Sequence, residues 1–356
     1  MRRRAPVLRP VLACLLALTA AARAAAPDWA DAPDAKGPSF AASREICRRL
    51  KGTAMPAADR PTPAEAAALS DCSSEALYYG IGRAADPRAA RLCAVVENRA
   101  ADPQVTDYGF TGDRMLMTVY ANGRGAARDL DLATALACRA GGAPAEIDGR
   151  VRHLARLKAE HWAGTDFSLC DDITSGLMEG VCADHQQLIA RAARAQAFAA
   201  LSARWTPAER AAWTPVRRAA AAFVDARGEN EVDQSGSGRA AFVIGAEDKA
   251  ERGLAALLAD AEAGRIAPAT PAEAAAADAA LNRAYKALMA RAPALARDTT
   301  LKAADLAATQ RSWLRLRDAW LAFAKLRYPA LSPDALLARL TRDRTSQLDD
   351  VPAAVE

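Results

Sequence analysis

Arg311 and Arg315 fall four residues apart in the run LKAADLAATQRSWLRLRDAWLAFAKLR at 301–327. On a helix they project from one face a turn apart, and two planar guanidinium forks held together can grip carboxylates. The competing expectation for this basic stripe is a solvated helix face, with Asp318 as an intrahelical partner. A second candidate contact is RGENEVDQSGSGRAAF at 227–242, where Glu229, Asn230, Glu231 and Asp233 offer acceptors to a basic surface. These residues do not fall where a calcium loop needs its bidentate Glu and its Gly. His153 and His161 are eight apart, too far for the one-turn spacing of a metal pair, and with His185 they read as exposed or half-buried helix residues. Asp171–Asp172 and Asp349–Asp350 read as solvated helix-end pairs with no apolar neighbour to raise a pKa. The sequence has no nucleophile elbow, phosphate-cradling Gly-Lys-Ser/Thr loop or His-Glu-x-x-His pair. A protein that binds, with no catalytic residue, metal or cofactor, is therefore the expectation. A hydrolase has only the carboxylates common to all chains in its favour.

Cysteine is the remaining reactive type. The chain opens with Arg2, Arg3 and Arg4, then an apolar run and Ala22-Arg23-Ala24, which is the pattern of a cleaved secretory signal over residues 1–24. Cys14 lies inside the apolar run, so a lipid anchor there is disfavoured. Without the signal, 42 basic residues stand against 43 acidic ones, and the apparent basicity of the whole chain disappears. A near-neutral chain lacks the basic footprint of a general nucleic-acid binder. No second apolar stretch is long enough to span a membrane. Cys47, Cys72, Cys93, Cys138, Cys170 and Cys182 remain, and an even count in an exported chain implies three disulfides. The expected location is the periplasm or the outside of the cell.

Helices must position these residues. The 301–327 run contains no Gly or Pro, and Leu306, Trp313, Trp320 and Arg327 recur every seven residues, with Leu316, Phe323 and Leu326 widening the stripe. Two tryptophans a heptad apart need a neighbouring helix to cover them. Thr-Pro-Ala-Glu occurs at Thr62, Thr206 and Thr270, each time giving an N-cap, Pro at the first helical position and Glu at the third. Residues 25–43, rich in Ala, Pro, Asp and Gly, read as a poorly ordered lead-in. Ser237 is a candidate cap for the helix after the polar loop.

Between residues 72 and 140 a repeat of period 43 matches Gly80, Gly82, Asp86, Ala90 and Ala94 to Gly123, Gly125, Asp129, Ala133 and Ala137, with Leu77 matched by Tyr120. Each unit predicts helix, Gly-x-Gly turn, Asp cap and an Ala-rich helix. The second unit, YANGRGAARDLDLATALACRAGG, resembles a Sel-like repeat, a relative of the tetratricopeptide helix pair. Val151, Leu154 and Leu157 mark a capping helix over 146–162.

The pattern Gln310-Arg311-x-Trp313-Leu314-x-x-Arg317-Asp318-Ala319 resembles the second helix of the LprI-like lysozyme-inhibitor family. ADAALNRAYKALM at 277–289, carrying Asn282 and Tyr285, resembles that family's first helix, and LLARLTRDRTSQL at 336–348 its closing helix. The family's usual cysteines after the Arg-Asp-Ala and before the last helix are missing, so rigidity here must come from packing. FSLCDDITSGLMEGVCAD, from Phe167, looks like the entry to another such domain. Trp213, Arg217, Ala222 and Phe223 align with Trp313, Arg317, Ala322 and Phe323 at an offset of 100, which reads as a degenerate first copy. The resemblance implies a Cys170–Cys182 disulfide. A helix pair closed at Gly80 brings Cys72 level with Cys93, leaving Cys47 for Cys138. Gln310 and Arg317 are expected either on a solvated face or in a seam with Asn282 and Tyr285.

The expected architecture is all-α: signal 1–24, lead-in 25–43, a short helical-repeat solenoid at 44–165, and two small LprI-like helical units at 166–264 and 265–350. The resemblance implies an envelope lysozyme inhibitor or binder, whose partner is a protein. A scaffold that holds another envelope protein through the repeats is the alternative. Nothing in the sequence fixes the oligomeric state.

Overall fold

A computed structural model describes residues 28–32, 38–100 and 108–351. The signal segment and Cys14 lie outside them. Every regular element among the described residues is helical, because Ala-rich, 3.6-periodic segments bounded by strong caps leave no alternating stretch to form a strand.

Seven helices build the N-terminal body: α1 (Ala41–Leu50), α2 (Pro63–Ala68), α3 (Ser74–Tyr79), α4 (Pro87–Ala100), α5 (Gly112–Asn122), α6 (Leu130–Arg139) and α7 (Pro144–Ala159). The 43-residue repeat is a geometric one. Gly80 and Gly123 end α3 and α5 in the left-handed region, at φ 74° and 63°, where a side chain would be strained. The Asp86 amide then donates to the Leu77 carbonyl at 2.7 Å, and the Asp129 amide to the Tyr120 carbonyl at 3.1 Å. Asp86 and Asp129 in turn cap α4 and α6 through their carboxylates. The two units nest closely. A Cβ on Gly125 would lie 2.1 Å from the Pro87 carbonyl oxygen, so only glycine fits where the second turn meets the first unit.

The α7 helix closes this stack with Val151 and Leu154, both fully buried. Disulfides join Cys47–Cys138, Cys72–Cys93 and Cys170–Cys182. Part of the lead-in is ordered, against expectation. Trp29 is buried in the N-terminal core and its indole N–H donates to Ser43 Oγ at 2.9 Å. A tryptophan buries enough area to fix a short segment that is otherwise Ala- and Pro-rich.

Six long helices follow: α8 (Gly176–Ser202), α9 (Pro207–Asn230), α10 (Arg239–Glu262), α11 (Pro271–Asp298), α12 (Ala303–Arg327) and α13 (Pro333–Asp349). Thr206 and Thr270 open α9 and α11 with full capping boxes, as Thr62 opens α2. Ser237 does not cap α10; Gly238 holds that position without a side-chain bond.

The two three-helix units do not stand apart. Central helices α9 and α12 run antiparallel, since Trp213 meets Trp320 while Ala226 and Asn230 meet Thr309, and Trp205, Val216, Phe223, Leu288, Trp313, Trp320, Phe323 and Leu340 belong to one continuous core. Trp213 packs edge-on to Trp320 with centroids 5.2 Å apart and meets Phe323 at 4.9 Å. The neighbour that the Trp313 and Trp320 stripe requires is thus α9.

The α8 helix links the bodies. Phe167, Leu169 and Met178 sit in the N-terminal core, so that core extends beyond residue 166, while Phe198 and Leu201 pack on the C-terminal one. His185 is not half-exposed. It is buried, its Nδ1 lies 2.5 Å from Glu75 Oε1, and its ring stacks on Phe110 at 3.7 Å. Asp172 is not a free helix-end acid either, since His153 Nδ1 lies 2.8 Å from its carboxylate. In both cases long-range packing supplies a partner more than ten positions away.

Candidate functional site

The solvent face of α12 carries Arg311 and Arg315, both exposed. Neither has a hydrogen bond or ion pair among the described residues. They are spaced one turn apart on a helix whose opposite face is pinned by Trp313, Leu316 and Trp320, so their stems are fixed while their guanidinium groups stay in water. Two like charges at this spacing cost a helix about 0.2–0.5 kcal/mol. Arg317 behaves differently. It pairs with Asp318 at 2.8 Å and lies over the Trp313 ring at 5.5 Å, which leaves less of it available.

The seam expected between Gln310, Arg317, Asn282 and Tyr285 does not form. Asn282 is exposed and donates to Asp278 in its own helix, Tyr285 packs against the C-terminal core, and Gln310 Oε1 accepts from Arg344 Nε at 3.0 Å. A local partner one turn away satisfies Asn282 more cheaply than one across a helix interface, and α13 brings Arg344 to Gln310 first.

The polar stretch is a tether more than an open contact loop. Glu229 and Asn230 lie in the last turn of α9, and of the four candidate residues only Glu229 is fully exposed. Asn230 donates to Thr309 Oγ1 at 3.2 Å. Asp233 accepts from the Thr300 amide at 3.0 Å and from Ser235, and these bonds hold its pKa below the usual carboxylate range, the Ser235 hydroxyl contributing most. Glu231 is buried. Its carboxylate takes both terminal nitrogens of the fully buried Arg344, at 3.0 and 2.5 Å, and the Nε of Arg227 at 3.2 Å. As a contact for an outside partner, Glu231 is ruled out by this burial.

A second polar clamp closes the opposite end of the α9–α12 pair. Glu262, at the end of α10, accepts from Arg327 through both oxygens at 3.1 Å, from Tyr328 at 2.8 Å and from the Trp205 indole at 2.9 Å. Arg327 also reaches Glu209, the capping glutamate of α9, at 3.2 Å. In the sequence Arg327 stands out only through its place in the apolar heptad, and Arg344 and Glu262 do not stand out. The available signal was a charge recurring in register with buried positions, which asks for a buried counter-charge.

Burial opposes the charge on Glu262, but the bonds from Arg327, Tyr328 and Trp205 outweigh it and set its pKa below the ordinary glutamate value. A depressed folded-state pKa contributes stability that is complete above the unfolded value of about 4.3 and is lost as pH falls through the lower folded value. Glu262→Gln should therefore lose stability near neutral pH and show a shallower decline on acidification. Urea midpoints measured from neutral pH to about pH 3 would show parallel curves for the two proteins if the clamp carried no such linkage.

The molecule is thus an all-α protein in which a disulfide-bonded helical repeat is joined to a body of six long helices with one continuous core. Residues 259–348, covering the last turn of α10, α11, α12 and all but the last residue of α13, match the family described as lysozyme inhibitor LprI. Comparisons with curated proteins and with solved structures gave no match. No helix among the described residues is long and apolar enough to cross a membrane. No group of three residues that could hold a metal ion occurs among them.

Proposed function

We propose that the chain is an exported envelope protein that binds lysozyme and blocks it, with Arg311 and Arg315 as the contact. The observation that carries this reading is the pair itself: two unpartnered guanidinium groups on a rigid helix, inside the segment that matches the inhibitor family. A lysozyme cleft works through two carboxylates in different protonation states. A non-substrate that fills the cleft and sets guanidinium groups beside them holds both carboxylates ionised and removes the acid. Export is supported by the disulfides, which persist in oxidising compartments. On this reading the protein acts by binding and is not itself an enzyme.

The pair lends itself to a clean test, because neither arginine supports the fold. In titration calorimetry against lysozymes of several types, Arg311→Ala/Arg315→Ala should weaken binding by about tenfold or more, the loss of charge-assisted contacts worth at least about 1.4 kcal/mol. Its thermal midpoint should stay unchanged or rise slightly as the like-charge repulsion goes. Equal affinity in the two proteins would remove these residues from the contact. A second reading, a non-inhibitory adaptor that holds another envelope protein through the helical repeat, is favoured by a cleft in that repeat.

A further inference from the structure

A cleft of about 390 Å³ opens on the N-terminal body between α4, α5, α6 and the 53–60 loop. Its accessible apolar lining includes Ala54 and Met55, with Leu116, Leu132 and Leu136 buried in the core beside it, and Arg60, Arg99 and Arg139 also line it. Its single acid is Asp113, and that carboxylate is already engaged: Arg139 Nε donates to one oxygen at 3.2 Å and Asn98 Nδ2 to the other at 2.6 Å. The Asp113 amide returns the bond to Asn98 at 2.9 Å, which locks the pair. Arg139 is therefore neutralised and the other two are not. Arg99 has no partner among the described residues, and Arg60 reaches only the Met55 carbonyl, at 3.5 Å. Two uncompensated cations thus border an apolar-lined space, a combination that calls for an anion attached to something apolar.

We propose that this cleft binds the C-terminal end of a partner polypeptide, with the free carboxylate between Arg60 and Arg99 and the last, apolar side chain against Ala54 and Met55. A chain end is the fitting occupant because its carboxylate and side chain leave the same Cα, which matches charged groups and apolar lining within one small space. The volume is at the lower end of the range for ligand pockets, enough for a terminus and too little for a helix or strand passing through. A terminal carboxyl is ionised throughout the neutral range, and planar guanidinium forks take it with paired hydrogen bonds.

The test uses the full mature chain and fluorescein-labelled hexapeptides ending in leucine, valine or phenylalanine with a free carboxyl, the same peptides amidated, and inorganic phosphate as competitor. Anisotropy should show saturable binding to at least one free-acid peptide, weakened about tenfold or more both by amidation and by Arg60→Ala/Arg99→Ala. Both arginines are exposed, so the variant keeps the fold, and its unchanged helical circular dichroism and thermal midpoint serve as the control. Equal binding of acid and amide, insensitivity to the double variant, or no saturation at concentrations on the order of millimolar would each overturn the proposal. Displacement by phosphate at lower concentration than by unlabelled peptide would do the same, and would assign the cleft to phosphate esters. The cleft and α12 lie in different bodies, so failure here leaves the role of Arg311 and Arg315 standing.

Discussion

Glu231→Ala is expected to lower the unfolding free energy by about 3–5 kcal/mol, the cost of breaking a buried ion pair from one side. The substitution leaves Arg344, fully buried, and Arg227, nearly so, without the carboxylate that both of them face. Burial already pulls the Arg227 pKa down, and Arg344 adds to the effect while Glu231 opposes it. Without Glu231, two cations repel one another in a site that water cannot reach. The loss comes from desolvation and not from the pair's net worth. Replacing Glu231, Arg227 and Arg344 together by leucine and methionine should therefore restore most of the stability, since no charge is then left in the site. Urea unfolding followed by circular dichroism measures both variants. A loss below about 1 kcal/mol for the single change would mean that the site is wetter than its burial indicates.

Removing the Cys47–Cys138 bridge as a Ser pair should cost about 4–5 kcal/mol in the loop-entropy picture, since the bridge closes a separation of 91 residues. It ties α1 to the end of α6 and so holds the first helix against the repeat. The same change at Cys170–Cys182, with a separation of 12, should cost nearer 3 kcal/mol. The order is the firm part of the expectation. Chemical unfolding of the two double variants under identical conditions gives it directly, and a larger loss for the short loop would show that native packing, and not the unfolded chain, dominates.

The features legible in the sequence are those set by local chemistry. Thr-Pro-Ala-Glu forms a capping box wherever it stands, because every bond in the box lies within four residues. The glycine and aspartate repeat was equally readable, since a left-handed turn and a side-chain cap each leave a fixed residue type at a fixed offset. The cysteine pairing followed from helix register in one case and from family resemblance in another. Partner choice among charges was not legible. Glu231 looked like the middle of an acidic surface loop, and only α13, more than a hundred residues later, reveals it as the counter-ion of Arg344. A seam of Gln310 and Arg317 with Asn282 and Tyr285 was one of two expectations, yet Asn282 is satisfied within its own helix and Gln310 by Arg344 of α13. His185 was misread for the same reason, its partners Glu75 and Phe110 lying far back in the chain. Arg311 and Arg315 were placed on a solvent face correctly, because exposure follows from helical period once the tryptophan stripe fixes which side is buried.

The most direct test of the central claim is a cell-wall lysis assay with purified residues 25–356 and lysozymes of several types. The account predicts that micromolar excess of the protein slows lysis by at least one type, that Arg311→Ala/Arg315→Ala loses most of this effect, and that Glu229→Ala, which changes the one exposed residue among the four acceptor candidates of the polar stretch, keeps it. Lysis proceeding at its uninhibited rate with every lysozyme tried would contradict the inhibitor reading, and full inhibition by the double arginine variant would contradict the assignment of the contact to α12.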